Sequence, residues 1–480
     1  GFTLHAGRMT VDEDARRGAP ESIFAPALRS TSVGLLILVT LIAFEAMAVS
    51  AALPTAARAV HGLGAFGWAF TGFLIANVVG MVASGLLSDS RGPRLPLVAG
   101  LICFVTGLLL SGTATTMAQL VAGRVVQGLG SGLIITAIYV VIGEIYSERA
   151  RPLLFGAMSS AWVVPSLLGP AIAGALAQHA SWRWVFLGLV PFSVIGGLLM
   201  IPVLRSLHAP TRPGRRADPL RLLRAIAVAA GIAALEQAGQ HPSLLSAGLA
   251  IVGLVLLGWG LRRLVPPGTF RVRPGVAAPV ALRGLLAGAF FGVEATVPLS
   301  LSEQHGYGAT IAGLPLALSG FSWAAGSWWQ SRVDDTAGPE RRIALIRAGF
   351  VLLGVAAAGM ALASVPALPG WLAYPAWLIA GLGAGLTMSS VSVLLLNYTN
   401  NADRGADSAA LQLSDATASA LTTGVAGVLV AAAARDAISS TAGFVTLDLL
   451  MCVVALIGVG TAYRARAAHP PVQSEVGVAR

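Results

Sequence analysis

Fourteen apolar stretches, each about 20 residues long, constrain this chain of 480 residues more than any other feature. A helix of that length crosses the hydrocarbon core of a bilayer. Only 11% of the residues are charged, against about 25% in a soluble protein. The pattern also lacks the short alternating strands of a membrane barrel. The sequence therefore predicts an all-α polytopic membrane protein with helices near 32–53, 64–87, 95–115, 117–145, 153–178, 183–204, 222–239, 243–264, 278–302, 307–330, 342–365, 370–397, 406–433 and 440–463.

The arginines indicate the orientation of these helices. All 31 basic residues are arginine, and the formal net charge is +10. If the first helix starts inside, 27 arginines fall at cytosolic ends, Arg58, Arg183 and Arg435 fall outside, and Arg124 alone lies within the membrane. This asymmetry follows the positive-inside rule. It predicts an even number of spans with both termini cytosolic, in the cytoplasmic (inner) membrane of a bacterium, and it accounts for the basic charge without nucleic acid.

An internal repeat divides the chain. "GLGSGL" at 128–133 recurs as "GLGAGL" at 381–386, in the fourth and the twelfth predicted helices. An offset of eight helices predicts two six-helix bundles with a two-helix insert between them, as in many transporters. The expected divisions are a cytosolic tail (1–30), an N-terminal bundle (31–205), a linker with the insert (206–276), a C-terminal bundle (277–464) and a second cytosolic tail (465–480).

Two charged residues lie at bilayer depth, where a charge costs roughly 3 kcal/mol or more. At 1.5 Å rise per residue, Glu45 in the first helix is about 20 Å from the inner face. Arg124 in the fourth helix is about 10 Å below the outer face by the same measure. In a core about 30 Å thick, the two residues lie at the same level.

Four motifs resemble one family of transporters. "GLLSDSRGPRLPL" (85–97) is similar to the signature loop of the major facilitator superfamily, with Ser90 where the family usually has arginine. "LVAGRVVQGLGSG" (120–132) resembles its arginine-bearing fourth helix, and "PSLLGPAIAGAL" (165–176) resembles its antiporter motif. "SWRWVFLGLVP" (181–191) resembles the sixth helix of the fourteen-helix drug:proton antiporter branch. In that branch an acid precedes a first-helix proline by nine residues, as Glu45 precedes Pro54.

The resemblance gives Glu45 and Arg124 a role. Because the first and fourth helices are neighbours in this superfamily, it implies an ion pair that faces the central cavity. Protonation of Glu45 would break the pair and free Arg124, which supplies a two-state element for alternating access. The alternative is a static structural ion pair.

Further residues are candidates for proton or substrate binding, because intramembrane acids are usually functional. Glu294 is expected to face the first helix across the pseudo-symmetry, or else to donate a packing hydrogen bond. Asp415 replaces a residue that is often basic in this branch, and it is expected to bind a cationic substrate or to pair with an unidentified partner. Glu236 lies in the insert, which is expected at the periphery. The remaining candidates are Asp448, Gln127 and three tryptophans, Trp162, Trp323 and Trp377, that either line a lipophilic pocket or serve packing.

Gating residues are expected at two places. Asp89, Arg91 and Arg94 in the signature loop are candidates for an inner gate between the halves, or for turn formation alone. Gly169 and Pro170 interrupt the hydrogen-bond ladder of the fifth helix and allow close helix approach, or simply kink it.

The expected function is proton-coupled antiport that exports lipophilic or cationic compounds, as in multidrug efflux and antibiotic resistance, by a monomer without cofactor or metal. No Walker loop is present to bind ATP. Alternatives are an exporter of one lipid or metabolite, and a facilitator or symporter. A membrane enzyme is disfavoured because all seven histidines fall in predicted loops or tails. A receptor or scaffold fits two paired halves less well than a transporter does.

Overall fold

The computed structural model describes residues 22–26, 28–146, 150–207, 219–240, 244–333, 339–399 and 404–466. Six helices form the N-terminal half: α1 (Arg29–Ala59), α2 (Phe66–Arg91), α3 (Arg94–Gly112), α4 (Met117–Ile145), α5 (Ala150–His179) and α6 (Leu189–Ser206, after the one-turn helix Trp184–Leu187). Apolar chains in lipid adopt helices because every backbone polar group must find its partner within the segment.

Two helices follow as the insert, α7 (Pro219–Gln240) and α8 (Leu244–Leu264). The C-terminal half comprises α9 (Ala277–Glu294, continued after a break as Val297–His305), α10 (Ala309–Val333), α11 (Pro339–Ala363), α12 (Ala373–Tyr398), α13 (Arg404–Ala434) and α14 (Ser440–Thr461). Thirteen stretches of the described chain are long and apolar enough to span a membrane, and α5, with 30 residues, is a further long helix. The predicted all-helical fold is confirmed. The charged stretch 208–218 and both predicted tails, apart from their inner ends, lie outside the described residues.

Local signals set several helix ends. Gly92, at a φ of 81°, ends α2, and Pro93 directly precedes α3, so two residues complete the signature turn. The Thr116 side chain accepts a hydrogen bond from the Gln119 backbone at the start of α4 (3.2 Å). Ser439 caps α14 in the same way through Ala442 (3.1 Å). Such caps satisfy backbone groups that the first turn of a helix leaves without partners.

The two halves pack with the same internal pattern. In the N-terminal half α1 contacts α5 and α6, while α4 contacts α2 and α3. In the C-terminal half α9 contacts α13 and α14, while α12 contacts α10 and α11. Each contact recurs eight helices later, which is the offset of the sequence repeat.

The repeated glycines create these contacts. A Cβ added at Gly128 would lie 2.1 Å from the Phe73 carbonyl oxygen of α2, and one added at Gly381 would lie 2.0 Å from the Ser319 carbonyl oxygen of α10. Two residues further along, Gly130 approaches the backbone of α3 and Gly383 approaches that of α11 in the same way. Membrane helices associate largely through such close backbone approach, because apolar burial does not drive them together in lipid.

The halves contact each other crosswise, α5 against α10 and α2 against α13. Near the outer ends of the last two, a Cβ at Gly67 would lie only 2.3 Å from the Gly427 Cα atom. Where α5 meets α10, a Cβ at Gly313 would lie 3.2 Å from the Pro170 carbonyl oxygen. These close backbone contacts join the halves on the side away from the arginine-rich loops.

The insert lies at the periphery, as expected, and α8 is the least buried of the described spans. Its helices pack on each other through Gly231 and Gly253, where a Cβ on Gly231 would lie 2.7 Å from the Gly253 carbonyl oxygen. Helix α7 then contacts both α2 and α13. The insert therefore touches the two halves at the place where they meet.

Alanine at Gly128 should destabilise the protein by about 1–3 kcal/mol, because the added carbon meets a backbone oxygen that cannot rotate away. Gly85→Ala is the matched control, since a Cβ at Gly85 has nothing within 4 Å. The measurement is the thermal unfolding midpoint and the monodisperse fraction of detergent-purified protein. Equal behaviour of the two variants would contradict the packing role of the repeat.

Candidate functional site

Glu45 and Arg124 form an ion pair in the interior of the N-terminal half. The Arg124 Nη1 group donates a hydrogen bond to Glu45 Oε1. The side chain of Arg124 is 3% exposed and that of Glu45 is fully buried. The pair joins α1 to α4, at the common depth that the sequence indicates.

Arg124 has other partners besides the carboxylate. Its Nε donates to the Ala69 carbonyl of α2 (2.9 Å), and Nη1 donates to Gln127 Oε1 (3.0 Å). Its guanidinium also lies 4.3 Å from the centre of the Phe73 ring. By contrast, Glu45 Oε2 has no hydrogen-bond partner within the described part of the chain. Arginine would therefore keep several contacts if Glu45 lost its charge, whereas Glu45 depends on this one partner.

The expectation that this pair faces the central cavity is not met in this conformation. Glu45 and Gln127 have no exposed surface, because α1, α2 and α4 enclose them. Gln127, expected to bind substrate, instead accepts a hydrogen bond from Arg124. A substrate would reach either residue only after these helices move apart.

Gly169 and Pro170 lie where α5 packs on α1, at the level of Glu45. A Cβ at Gly169 would lie 3.4 Å from the Met47 Cβ atom and 3.7 Å from the Phe44 ring, and these two residues flank Glu45 along α1. The Pro170 carbonyl meets Gly313 of α10. The motif thus lies where α5 contacts both α1 and the opposite half.

Asp415 has a partner that the sequence left unidentified. Both Nε (2.9 Å) and Nη2 (2.8 Å) of Arg283 contact its Oδ2 atom, and Arg283 is 6% exposed. Arg283 lies six residues after the start of α9, at the end that the sequence predicts to be cytosolic, but its long side chain turns inward to α13 and is buried. The eight-helix offset could have indicated this contact, since it makes α9 and α13 neighbours as α1 and α5 are.

The remaining acids at depth occupy separate places. Glu294 is 4% exposed and ends the first segment of α9. Asp448 accepts a hydrogen bond from the Ser364 hydroxyl (3.2 Å), which also contacts Ser300 (2.9 Å). Asp448 is thus held in the packing of the C-terminal half.

Two of the three predicted tryptophans lie together. The Phe290 ring stacks on Trp377 with centroids 5.2 Å apart and meets Trp323 edge-on at 5.1 Å. Trp377 is 1% exposed, so in this conformation it is a core residue and not a pocket wall. Trp162, on α5 of the other half, is 39% exposed. A single pocket lined by all three is not formed in this conformation.

The predicted inner gate is not engaged. Asp89, Arg91 and Arg94 are exposed, and within the described chain none of them forms an ion pair. On the opposite side the halves are linked by Arg58, which contacts Ser302 (3.4 Å) and Glu303 (3.6 Å). Gln178 Oε1 also accepts a hydrogen bond from the Thr310 hydroxyl (3.0 Å). These contacts are those of a molecule whose halves are closed on the side opposite the signature loop, which is the outer side if the arginine-rich face is cytosolic as the sequence predicts.

Sequence reasoning underrated one residue, Glu236 of α7. It is 2% exposed and lies where Gly67 of α2 meets Gly427 of α13. In the sequence, Glu236 is only an acidic residue that interrupts an apolar helix. Its burial depends on how the two halves meet, which the sequence of α7 does not show. The structure thus brings together Glu45, Arg124 and Gln127, and separately Asp415 with Arg283, while Glu294 and Glu236 stand apart.

Comparison with known proteins identifies the family to which the sequence is similar. A model of the Major Facilitator Superfamily matches residues 35–423. An uncharacterised MFS-type transporter of Mycobacterium tuberculosis is 29% identical over 317 residues, which is 64% of this chain and 45% of that protein. The efflux pump dotC of Dothistroma septosporum is 29% identical over 36% of this chain and 30% of its own. An acurin A biosynthesis cluster MFS-type transporter of Aspergillus aculeatus is 30% identical over 45% of this chain and 39% of its own length. The matched part spans less than half the length of each relative.

Solved structures share the fold. A D-xylose-proton symporter superposes with a TM-score of 0.61 over 91% of this chain and 99% of its own, at 16% identity. A POT family transporter solved with 5-aminolevulinic acid superposes with a TM-score of 0.65 over 91% of this chain and 96% of its own, at 15% identity.

Replacing Arg124 by methionine should lower the stability by about 3–5 kcal/mol, because it leaves Glu45 as a buried charge without a counter-charge. Adding Glu45→Gln removes that charge, so the double variant should be more stable than Arg124→Met alone. The measurement is a double-mutant cycle that compares the thermal unfolding midpoints of wild type, both single variants and the double variant. Additive losses would show that the two side chains do not interact.

Proposed function

This chain belongs to the major facilitator superfamily, a family of transporters and not enzymes, and we propose that it is a proton-coupled antiporter that exports lipophilic or cationic compounds. It works by alternating access in a bacterial cytoplasmic membrane. The observation that carries the proposal is the buried Glu45–Arg124 pair, in which an acid at bilayer depth has one charged partner.

Protonation of Glu45 supplies the coupling step. A proton on the carboxylate removes its attraction to Arg124, which keeps its bonds to Ala69 and Gln127. Helix α1 then loses its charged link to α4 and is free to move. In this way proton binding biases an equilibrium between two arrangements of the helices.

Helix α1 connects this site to the outer closure. It is helical from Glu45 to Arg58, with Pro54 inside this stretch, over about 20 Å of helical rise. Arg58 contacts Ser302 and Glu303 of the opposite half. A shift of α1 on protonation would therefore reach the outer contacts directly, while Asp89, Arg91 and Arg94 engage on the inner side when the outer side opens.

Substrate binding is assigned to Trp162 of α5 and Trp323 of α10, which offer aromatic surface for lipophilic compounds and for cations. Glu294, buried in this conformation, offers a carboxyl for the positive charge once the helices around it move apart. Asp415 and Trp377 contribute only if the Arg283–Asp415 pair and the Phe290–Trp377 stack open. The relative named as an efflux pump supports export as the direction of transport.

Export of one lipid or metabolite is the second candidate. A relative whose name places it in a biosynthesis cluster favours a dedicated product over a broad range of compounds. Competition of the transported dye by native lipids, compared with competition by unrelated lipophilic cations, distinguishes the two.

The coupling is tested in reconstituted vesicles with an imposed pH gradient and a fluorescent lipophilic cation. Wild type should move dye and protons in opposite directions, and Glu45→Gln should stop both. Glu340→Gln is the control, because Glu340 is an exposed acid that pairs with Arg466 at the surface. Dye movement that ignores the gradient would indicate a facilitator, and movement in the same direction as protons would indicate a symporter.

Holding the outer side closed should stop transport. In a variant without native cysteines (Cys103→Ser, Cys452→Ser), Gln178→Cys and Thr310→Cys place one thiol on each half, where the wild-type side chains are hydrogen-bonded. A short bis-methanethiosulfonate reagent should abolish dye export, and a reductant should restore it. Undiminished export after complete cross-linking would contradict alternating access through this closure.

A further inference from the structure

The outer contact between α2 and α13 encloses a carboxyl group that belongs to neither helix. Glu236, on α7, places its Oε1 atom 2.8 Å from the position of a Cβ on Gly67 and 3.1 Å from that of one on Gly427. A Cβ on Gly424 would lie 3.8 Å from Glu236 Oε2 and 3.7 Å from the Thr71 hydroxyl oxygen. Glycine on both helices makes room for the carboxyl in the plane where the halves meet.

This carboxyl has no counter-charge among the described residues to compensate for the loss of water. It is 2% exposed, and neither oxygen has a hydrogen-bond partner in the described part of the chain. The nearby Thr71 hydroxyl is neutral. A buried carboxylate without a counter-charge is strongly disfavoured, and a group in that situation is neutralised by a proton instead.

Within the described chain, no charged group of the surrounding helices forms an ion pair with Glu236. Asp415 of α13 is twelve residues before Gly427, about 18 Å of helical rise. Beyond the outer end of α13, Arg435 and Asp436 are exposed, and Glu303 pairs with Arg58. His61 precedes α2 and is exposed, and His241 follows α7 outside the described residues. The other charged residues of these helices, nearer the arginine-rich face, are Asp89 and Arg91 of α2, Arg404 and Asp407 of α13, Arg262 and Arg263 of α8, and Arg221 and Arg224 of α7 itself.

We infer that Glu236 is a proton-binding site that opens to the outer side, and that its carboxyl must carry a proton for α2 and α13 to close over it. When the halves separate at their outer ends, water reaches Glu236, which lies about 6 Å of helical rise from the end of α7. The carboxyl then releases its proton to the outside. Closure requires it to take a proton up again from the same side.

This site differs from Glu45 in what its proton does. The proton on Glu236 enters and leaves on the outer side, so it is not carried across the membrane. It makes the outer closure sensitive to external acidity, and it gives the two-helix insert a function in gating. The inference rests on the proposed function only in requiring that the outer side opens.

The test measures the outer closure itself, not transport. Spin labels at Gly64→Cys and Ala434→Cys, on the background without native cysteines, report the separation of the α2 and α13 ends in the full-length protein in nanodiscs. Gly64 and Ala434 are exposed. In wild type the short distance should dominate at acid pH, and the long distance should gain population as the pH rises, by at most about tenfold in ratio per pH unit for one proton.

Glu236→Gln, which keeps the shape but is always neutral, should stay at the short distance at every pH. Glu236→Asp should titrate again, and His241→Gln should behave as wild type. The thermal unfolding midpoint shows whether Glu236→Gln is folded. If it is not, Glu236→Asp provides the test: its label distance should still change with pH, but around a different midpoint pH from wild type.

A wild-type pH response that persists in Glu236→Gln, or that is lost in His241→Gln, would overturn the inference. Either result leaves the role of Glu45 untouched, because that role is measured by dye and proton flux. Conversely, a failure of proton antiport through Glu45 would leave this distance titration standing.

Discussion

The arrangement of the N-terminal half depends on one buried ion pair. Glu45 and Arg124 place opposite charges in the membrane interior, where either alone would be strongly destabilising. The pair joins α1 to α4, and the further bonds of Arg124 bring in α2. Because the glutamate has this one polar partner and the arginine has several, loss of charge on the glutamate would release α1 while the rest stays in place. In the proposed function, this asymmetry lets a structural interaction serve as a switch.

Close backbone contact complements this charge. Glycines of the repeated motif bring α4 against α2 and α3, and α12 against α10 and α11. Each half is therefore closely packed within itself. Between the halves α5 packs against α10 and α2 against α13, and the polar contacts of Arg58 and Gln178 and the Gly67–Gly427 crossing lie on the side away from the arginine-rich loops. Closely packed halves that meet along two helix pairs suit the rocking motion of the proposed function.

The number of helices, the repeat and the common depth of Glu45 and Arg124 were predictable from the sequence, because each depends on residue spacing along the chain or on the distribution of arginines among the loops. Contacts between side chains of different helices were harder to predict. Arg283 lies only six residues after the start of α9, so its position resembles that of a surface arginine, and its side chain reaches Asp415 only because α13 is adjacent. Glu236 required knowledge of where the insert packs. The tryptophans could be identified as aromatic surface, but the burial of Trp377 depends on Phe290.

The central claim is that the carboxyl of Glu45 binds a proton during the cycle. Infrared difference spectroscopy of the reconstituted protein measures this directly, because a protonated carboxyl has its own carbonyl stretching band. On going from alkaline to acid pH, wild type should gain a carboxylic acid band that is missing from Glu45→Gln, while bands from the other buried acids remain in both. Identical difference spectra for the two proteins would mean that Glu45 stays ionised beside Arg124, and the pair would then be a structural element and not the proton site.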